Sequence, residues 1–139
     1  MRKRFALRSD YLFDLDISIE NNAAQPISFF PKLRLNSSQN DEQVKKVLFS
    51  STQENVQFPK AYIDGAIWEE MSRDTLAVEQ VAKGAITWAA IDDRYFLMSV
   101  LPLGVARSQL TAQNRAKAYT NAKGEPHHSY TTTLTHSLE

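Results

Sequence analysis

The clearest pattern in the chain lies between Tyr11 and Glu20. Tyr11, Phe13, Leu15, Ile17 and Ile19 alternate with Leu12, Asp14, Asp16, Ser18 and Glu20. A period of two predicts a strand with one buried face and one mostly wet face. Asn21-Asn22 opens a turn and Pro26 closes it. Ile27 to Leu35 reads as a second strand, and Pro31 within it implies an edge position or a bulge. Asn36 to Gln43 is polar and predicts a loop, and Val44 to Phe49 a short strand. Phe58 to Trp68 carries apolar residues around a break at Gly65. Glu69 to Lys83 is ambiguous: Met71, Thr75, Val78 and Ala82 have helical spacing, yet Leu76 to Val81 also suits a strand.

The strongest pair follows. Gly84 to Ile91 and Tyr95 to Leu101 are apolar on both faces, as expected of central strands covered on both sides. Asp92-Asp93-Arg94 supplies the polar turn of a hairpin and Pro102 ends it. Trp88 lies in this apolar strand and is expected in the core. Val105 to Tyr119 is more polar, Asn121 to Gly124 reads as a turn, and the Thr-rich run His128 to Thr135 as a final strand. About eight short strands with few helix signals predict an all-β chain, an antiparallel β-sandwich.

Composition narrows the functions open to such a chain. Its 139 residues suit one domain. It carries 16 Lys+Arg against 16 Asp+Glu, so the basic excess of a nucleic-acid binder is missing. It has no cysteine, which excludes disulfides, a thiol nucleophile and Cys-based metal sites. No apolar run reaches about 18 residues, the length a membrane-spanning helix needs. The basic start Met1 to Arg4 is followed by too short an apolar run for a signal peptide.

Candidate chemistry is sparse. His127 and His128 are adjacent on a strand and point to opposite faces, so a shared metal ion is disfavoured and a structural or solvated role is expected. Asp14 and Asp16 share a face that reads as a wet strand surface rather than an acid–base pair. No Gly-x-Ser-x-Gly elbow occurs, and four scattered glycines build no phosphate loop. These readings predict no catalytic residue, no metal ligand and no cofactor. Gly104 to Gly124 contains Arg107, Arg115, Lys117 and Lys123 without an acid, a candidate contact surface for an acidic partner or anionic lipid headgroups. Trp68 and Trp88 leave a sugar-stacking role open as an alternative.

The segment Gly84 to Pro102, with Trp88, Tyr95, Phe96 and Pro102 in order, resembles the large periplasmic domain of the bacterial YidC/Oxa1/Alb3 insertase family. Phe5 to Asn22 resembles that family's strand running into an Asn at a turn, and Tyr62 to Ala66 its Gly-Ala segment upstream of the Trp. The resemblance implies a β-supersandwich similar to mutarotase-like, sugar-binding proteins. It implies that residues 1–139 form a single domain, the C-terminal part of a larger periplasmic domain. It further implies a non-catalytic part of an inner-membrane insertase, with Sec translocon components or nascent membrane proteins as partners. An uncovered sheet edge in such a fragment predicts a homodimer. The runner-up reading is a carbohydrate-binding or mutarotase-like β-sandwich domain.

Overall fold

The structure is a computed structural model that describes residues 1–8, 10–41, 58–69, 72–92, 96–104 and 110–136. Ten strands occur among them: β1 Arg2–Leu7, β2 Phe13–Ser18, β3 Lys32–Asn40, β4 Phe58–Ile63, β5 Ala66–Glu69, β6 Gln80–Lys83, β7 Ile86–Asp92, β8 Leu97–Val100, β9 Leu110–Thr120 and β10 Pro126–His136. A single turn of helix, α1, spans Arg73–Leu76. All strand pairs are antiparallel. Two four-stranded sheets, ordered β3-β10-β9-β6 and β5-β4-β7-β8, pack face to face, and β1-β2 forms a separate hairpin. This is the all-β sandwich that the strand pattern predicts.

The core follows from alternation on the facing strands. Ala61, Ile63, Ile86 and Ala89 of one sheet meet Leu110, Ala112 and Leu134 of the other. A second cluster joins Ile91, Ala116 and Tyr130 with Leu76 of α1, and Leu35 and Phe58 pack against it. The helical turn exists because Ser72 caps it, its hydroxyl accepting from the Thr75 amide at 3.3 Å. It delivers Leu76 into that cluster. The ambiguous stretch thus divides in two: the helix at Arg73–Leu76, then strand β6.

Asp64 and Gly65 form the two-residue turn between β4 and β5, with φ of 51° and 86°. Asp-Gly favours this turn because both residues must adopt positive φ. The Asp64 carboxylate then accepts from the Ala85 amide at 2.7 Å, holding the next hairpin in place. Gly84 sits against this contact at φ 150°. A Cβ there would stand 2.3 Å from Asp64 Oδ2 and 2.6 Å from Ile63 Cγ2.

Several expectations need correction. The strand expected at Ile27–Leu35 begins at Lys32 and continues through Asn40, so Asn36–Asn40 is not loop. Pro26 and Pro31 deny the earlier stretch amide donors, whereas β10 pairs with every residue from Lys32, opposite Thr135, to Asn40, opposite His127. β3 is an edge strand, as Pro31 implies. The polar stretch before the Asn121 turn is a full central strand, β9, from Leu110. Its alternate residues Leu110, Ala112, Asn114 and Ala116 are buried, a pattern muted by small and polar side chains. Only β7 of the predicted central pair is central, because β8 lies at the edge with Leu97 and Met98 exposed. Trp88 is half-buried on the face of β7 turned away from the core, where it stacks on Tyr62 at 5.9 Å. A register shift near Tyr62 and Ile63 puts Ile86 inward and Trp88 outward. Trp68 is the tryptophan that packs on the core. The strand expected at Val44–Phe49, the Asp93-Arg94 turn and Tyr95, the first residue of the second predicted strand, lie outside the described residues.

Candidate functional site

Cross-strand partners share a face of a sheet. In the β3-β10-β9-β6 sheet the inward rows carry the core. The outward rows are Lys32, Arg34, Asn36, Ser38 and Asn40 on β3; His127, Ser129, Thr131, Thr133 and Thr135 on β10; Thr111, Gln113, Arg115, Lys117 and Tyr119 on β9; and Val81 and Lys83 on β6. No aspartate or glutamate occupies any of these positions. The hydroxyl rows suit the pleat, since Thr is β-branched and tolerates water. Arg34 Nε donates to Thr133 Oγ1 at 3.3 Å, and Thr131 Oγ1 donates to Asn36 Oδ1 at 3.0 Å, which ties β3 to β10 across the face.

Of the four predicted contact residues, Arg115 and Lys117 come together on this face, both exposed. Lys123 lies apart, in the β9–β10 turn, where Asn121 Oδ1 accepts from the Lys123 and Glu125 amides at 2.9 and 3.0 Å. Arg107 lies outside the described residues. The structure adds Lys32 and Arg34 on β3 and Lys83 on β6, distant in sequence and brought to the same face from opposite edges of the sheet. The signal for two of them was present: Lys32 and Arg34 alternate with Leu33 and Leu35, the mark of a wet strand face.

The histidines divide as adjacency on a strand requires. His127 faces outward beside Tyr119, with ring centroids 5.4 Å apart. His128 faces inward, its Nδ1 2.8 Å from both carboxylate oxygens of Asp41. Arg73 bridges the same carboxylate at 3.2 Å and donates to Gln39 Oε1 at 3.0 Å. Asp41, His128, Arg73 and Gln39 therefore clamp the end of β3, β10 and α1 together. A His–carboxylate pair is the kind of group an acid–base enzyme uses. Here the carboxylate is already shared by two cationic-capable partners, and the arrangement works as a joint between elements. Sequence reading missed it because Asp41, Arg73 and His128 are far apart along the chain. Nearby, burial raises the Tyr130 hydroxyl above its ordinary pKa, with Arg73 opposing the shift.

On the outward face of the other sheet, Lys60 bridges Asp92 at 2.7 Å and Glu69 at 3.2 Å. Burial works to lower its pKa, but the two carboxylates outweigh burial and the ammonium titrates above its ordinary value. Asp92, one of the paired acids beside the predicted turn, is thus spent on Lys60. Asp14 pairs with Arg8 at 2.6 Å on the wet face of the β1-β2 hairpin. Among the described residues no group of three His, Cys, Asp or Glu side chains is placed to hold a metal ion, and no helix is long and apolar enough to cross a membrane.

In the β1-β2 hairpin, Phe5 faces Leu15, Leu7 faces Phe13 and Lys3 faces Ile17 on one side, while Arg4 faces Asp16 and Ala6 faces Asp14 on the other. The ribbon is amphipathic, yet its apolar side is open: Leu7 is 86% exposed and Phe13 62%. A second apolar surface runs along the β8 edge through Phe96, Leu97, Leu101 and Leu103, all exposed.

The described residues thus form an antiparallel β-sandwich with one cationic face and an exposed apolar edge. The profile of one protein family, the YidC periplasmic domain, matches residues 1–136. The chain belongs to that family and is a periplasmic domain of the insertase. No curated protein and no solved structure matched it.

Proposed function

We propose that this chain is a non-catalytic domain through which a membrane-anchored insertase contacts Sec translocon components or nascent membrane proteins. The observation that carries the proposal is the family match, which extends over essentially the whole chain. The geometry supports it. An edge strand offers unpaired backbone groups to an extended chain, and the apolar side chains around β8 give such a chain something to bury. Insertion itself needs a polar groove within the bilayer and belongs to the membrane part of the insertase.

The test is a photo-crosslinking residue at Leu97 in the full-length insertase. Adducts with nascent membrane proteins or translocon subunits are expected there and not at Lys117, which is exposed on the opposite sheet. Absence of adducts at Leu97 during active insertion would remove the edge from the contact surface. The carbohydrate alternative needs a His–carboxylate pair open to a ligand, whereas Arg73 and His128 already share the Asp41 carboxylate.

A further inference from the structure

Opposite faces of the sandwich differ in sign. The outward face of the β3-β10-β9-β6 sheet holds Lys32, Arg34, Lys83, Arg115 and Lys117, all exposed, with no acid in its rows. Among the described residues no ion pair engages any of the five. Among the described residues, the far side holds Glu69 and Asp92 around Lys60. Among the described residues the two faces therefore carry unequal charge, with Glu79 and Glu125 reaching the cationic face through Gln113 and His127. Neutral composition hides a face that an anionic surface attracts and another that it repels, which fixes orientation as well as affinity.

The shape of the cationic face selects the kind of surface. Adjacent strands lie about 4.8 Å apart and successive outward residues about 6.7 Å apart. Lys32 and Lys83 stand at opposite edges of the sheet in one cross-strand row, through Thr135 and Thr111. Arg115 and Lys117 are successive outward residues of β9, and Arg34 follows Lys32 on β3. The cations are thus spread over the whole face rather than gathered at one point. Ser38, Thr111 and Ser129 lie between them with hydroxyl groups that can donate to phosphate oxygens, while Thr133 and the Thr135 hydroxyl are buried and the Thr131 hydroxyl donates to Asn36. Apolar side chains do not anchor the centre: Val81 lies on the edge strand and Tyr119 near one end. Protein interfaces concentrate their energy in a central, desolvated anchor, and this face has none.

We infer that this face docks on the phosphate headgroups of an anionic phospholipid bilayer, with β8 and its apolar edge left free for protein. The inference goes beyond partner contact and does not need it, because a vesicle supplies the whole ligand.

The experiment is flotation of the isolated protein with vesicles of phosphatidylcholine containing phosphatidylglycerol, against phosphatidylcholine alone. Binding is expected to the anionic vesicles only and to fall steeply with added salt. Each basic residue near such a surface is worth about fivefold in affinity, so Arg34→Gln/Arg115→Gln/Lys117→Gln should lose about a hundredfold. Arg115→Gln/Lys117→Gln leaves the Arg34–Thr133 bond intact and should lose about 25-fold, which covers any misfolding of the triple variant. Lys32→Arg/Lys83→Arg/Lys117→Arg keeps the charge and should bind as before. Equal binding to neutral vesicles, or full binding by the double variant, overturns the inference. So does capture by poly-glutamate with no binding to vesicles, which would assign the face to an acidic polypeptide. Crosslinking at Leu97 reads the other surface, so either result can fail alone.

Discussion

Gly84 is the residue whose identity is most tightly fixed by its surroundings. Its positive φ and the approach of Asp64 and Ile63 leave no room for a methyl group. Gly84→Ala should lower stability by about 1–3 kcal/mol, read by urea denaturation, since the buried Ile63 must shift as well as Asp64. The tryptophans invert their expected order. Trp88 stacks on Tyr62 outside the core and Trp68 packs on it. Trp88→Ala should therefore cost clearly less than the about 3–5 kcal/mol of a buried aromatic, and less than Trp68→Ala in the same melt. Composition around Trp88 pointed inward because its neighbours Ala89, Ala90 and Ile91 are buried; the register shift beside Ile63 that turns it outward leaves no mark in hydrophobicity.

Among the elements, the joint at the end of β3 makes a sharp test. Asp41 is shared by His128 and Arg73, so Asp41→Ala leaves two half-buried groups without their acceptor and should cost about 1–3 kcal/mol. A double-mutant cycle of Asp41→Ala and Arg73→Ala should return a coupling of about 0.5–3 kcal/mol; additive losses would mean the two do not act together. Strands were legible where alternation is strong. Phe13–Ser18 and Ile86–Asp92 could be read directly, and Asp64-Gly65 is a hairpin turn in its own letters. β9 was hidden because its buried positions include Ala112, Asn114 and Ala116, too small or too polar to stand out. The contact surface was half legible: Arg115 and Lys117 are close in sequence, but their neighbours Lys32, Arg34 and Lys83 are brought in by sheet order alone.

At the scale of the whole molecule, pH and self-association are the relevant tests. Lys60 and Tyr130 both hold their protons more tightly folded than unfolded. Their contributions are complete below the ordinary values of 10.5 and 10.0 and are lost as pH rises through the raised ones. Through these two groups stability should thus fall at strongly alkaline pH. Tyr130→Phe should flatten that fall, measured by urea melts across the alkaline range. The open β8 edge and hairpin face predict a dimer or larger species of the isolated chain, and Leu97→Lys should shift sedimentation toward monomer.

The β1-β2 hairpin carries one more consequence. A two-stranded ribbon is marginal in water without something against its apolar side. Its backbone amides should therefore trade hydrogen for deuterium almost freely, while those of β9 and β10 wait for the sandwich to open as a whole. Any surface that covers Phe5, Leu7 and Phe13 would slow that exchange, so the first eighteen residues act as a built-in gauge of whether the domain stands alone or sits in its larger assembly.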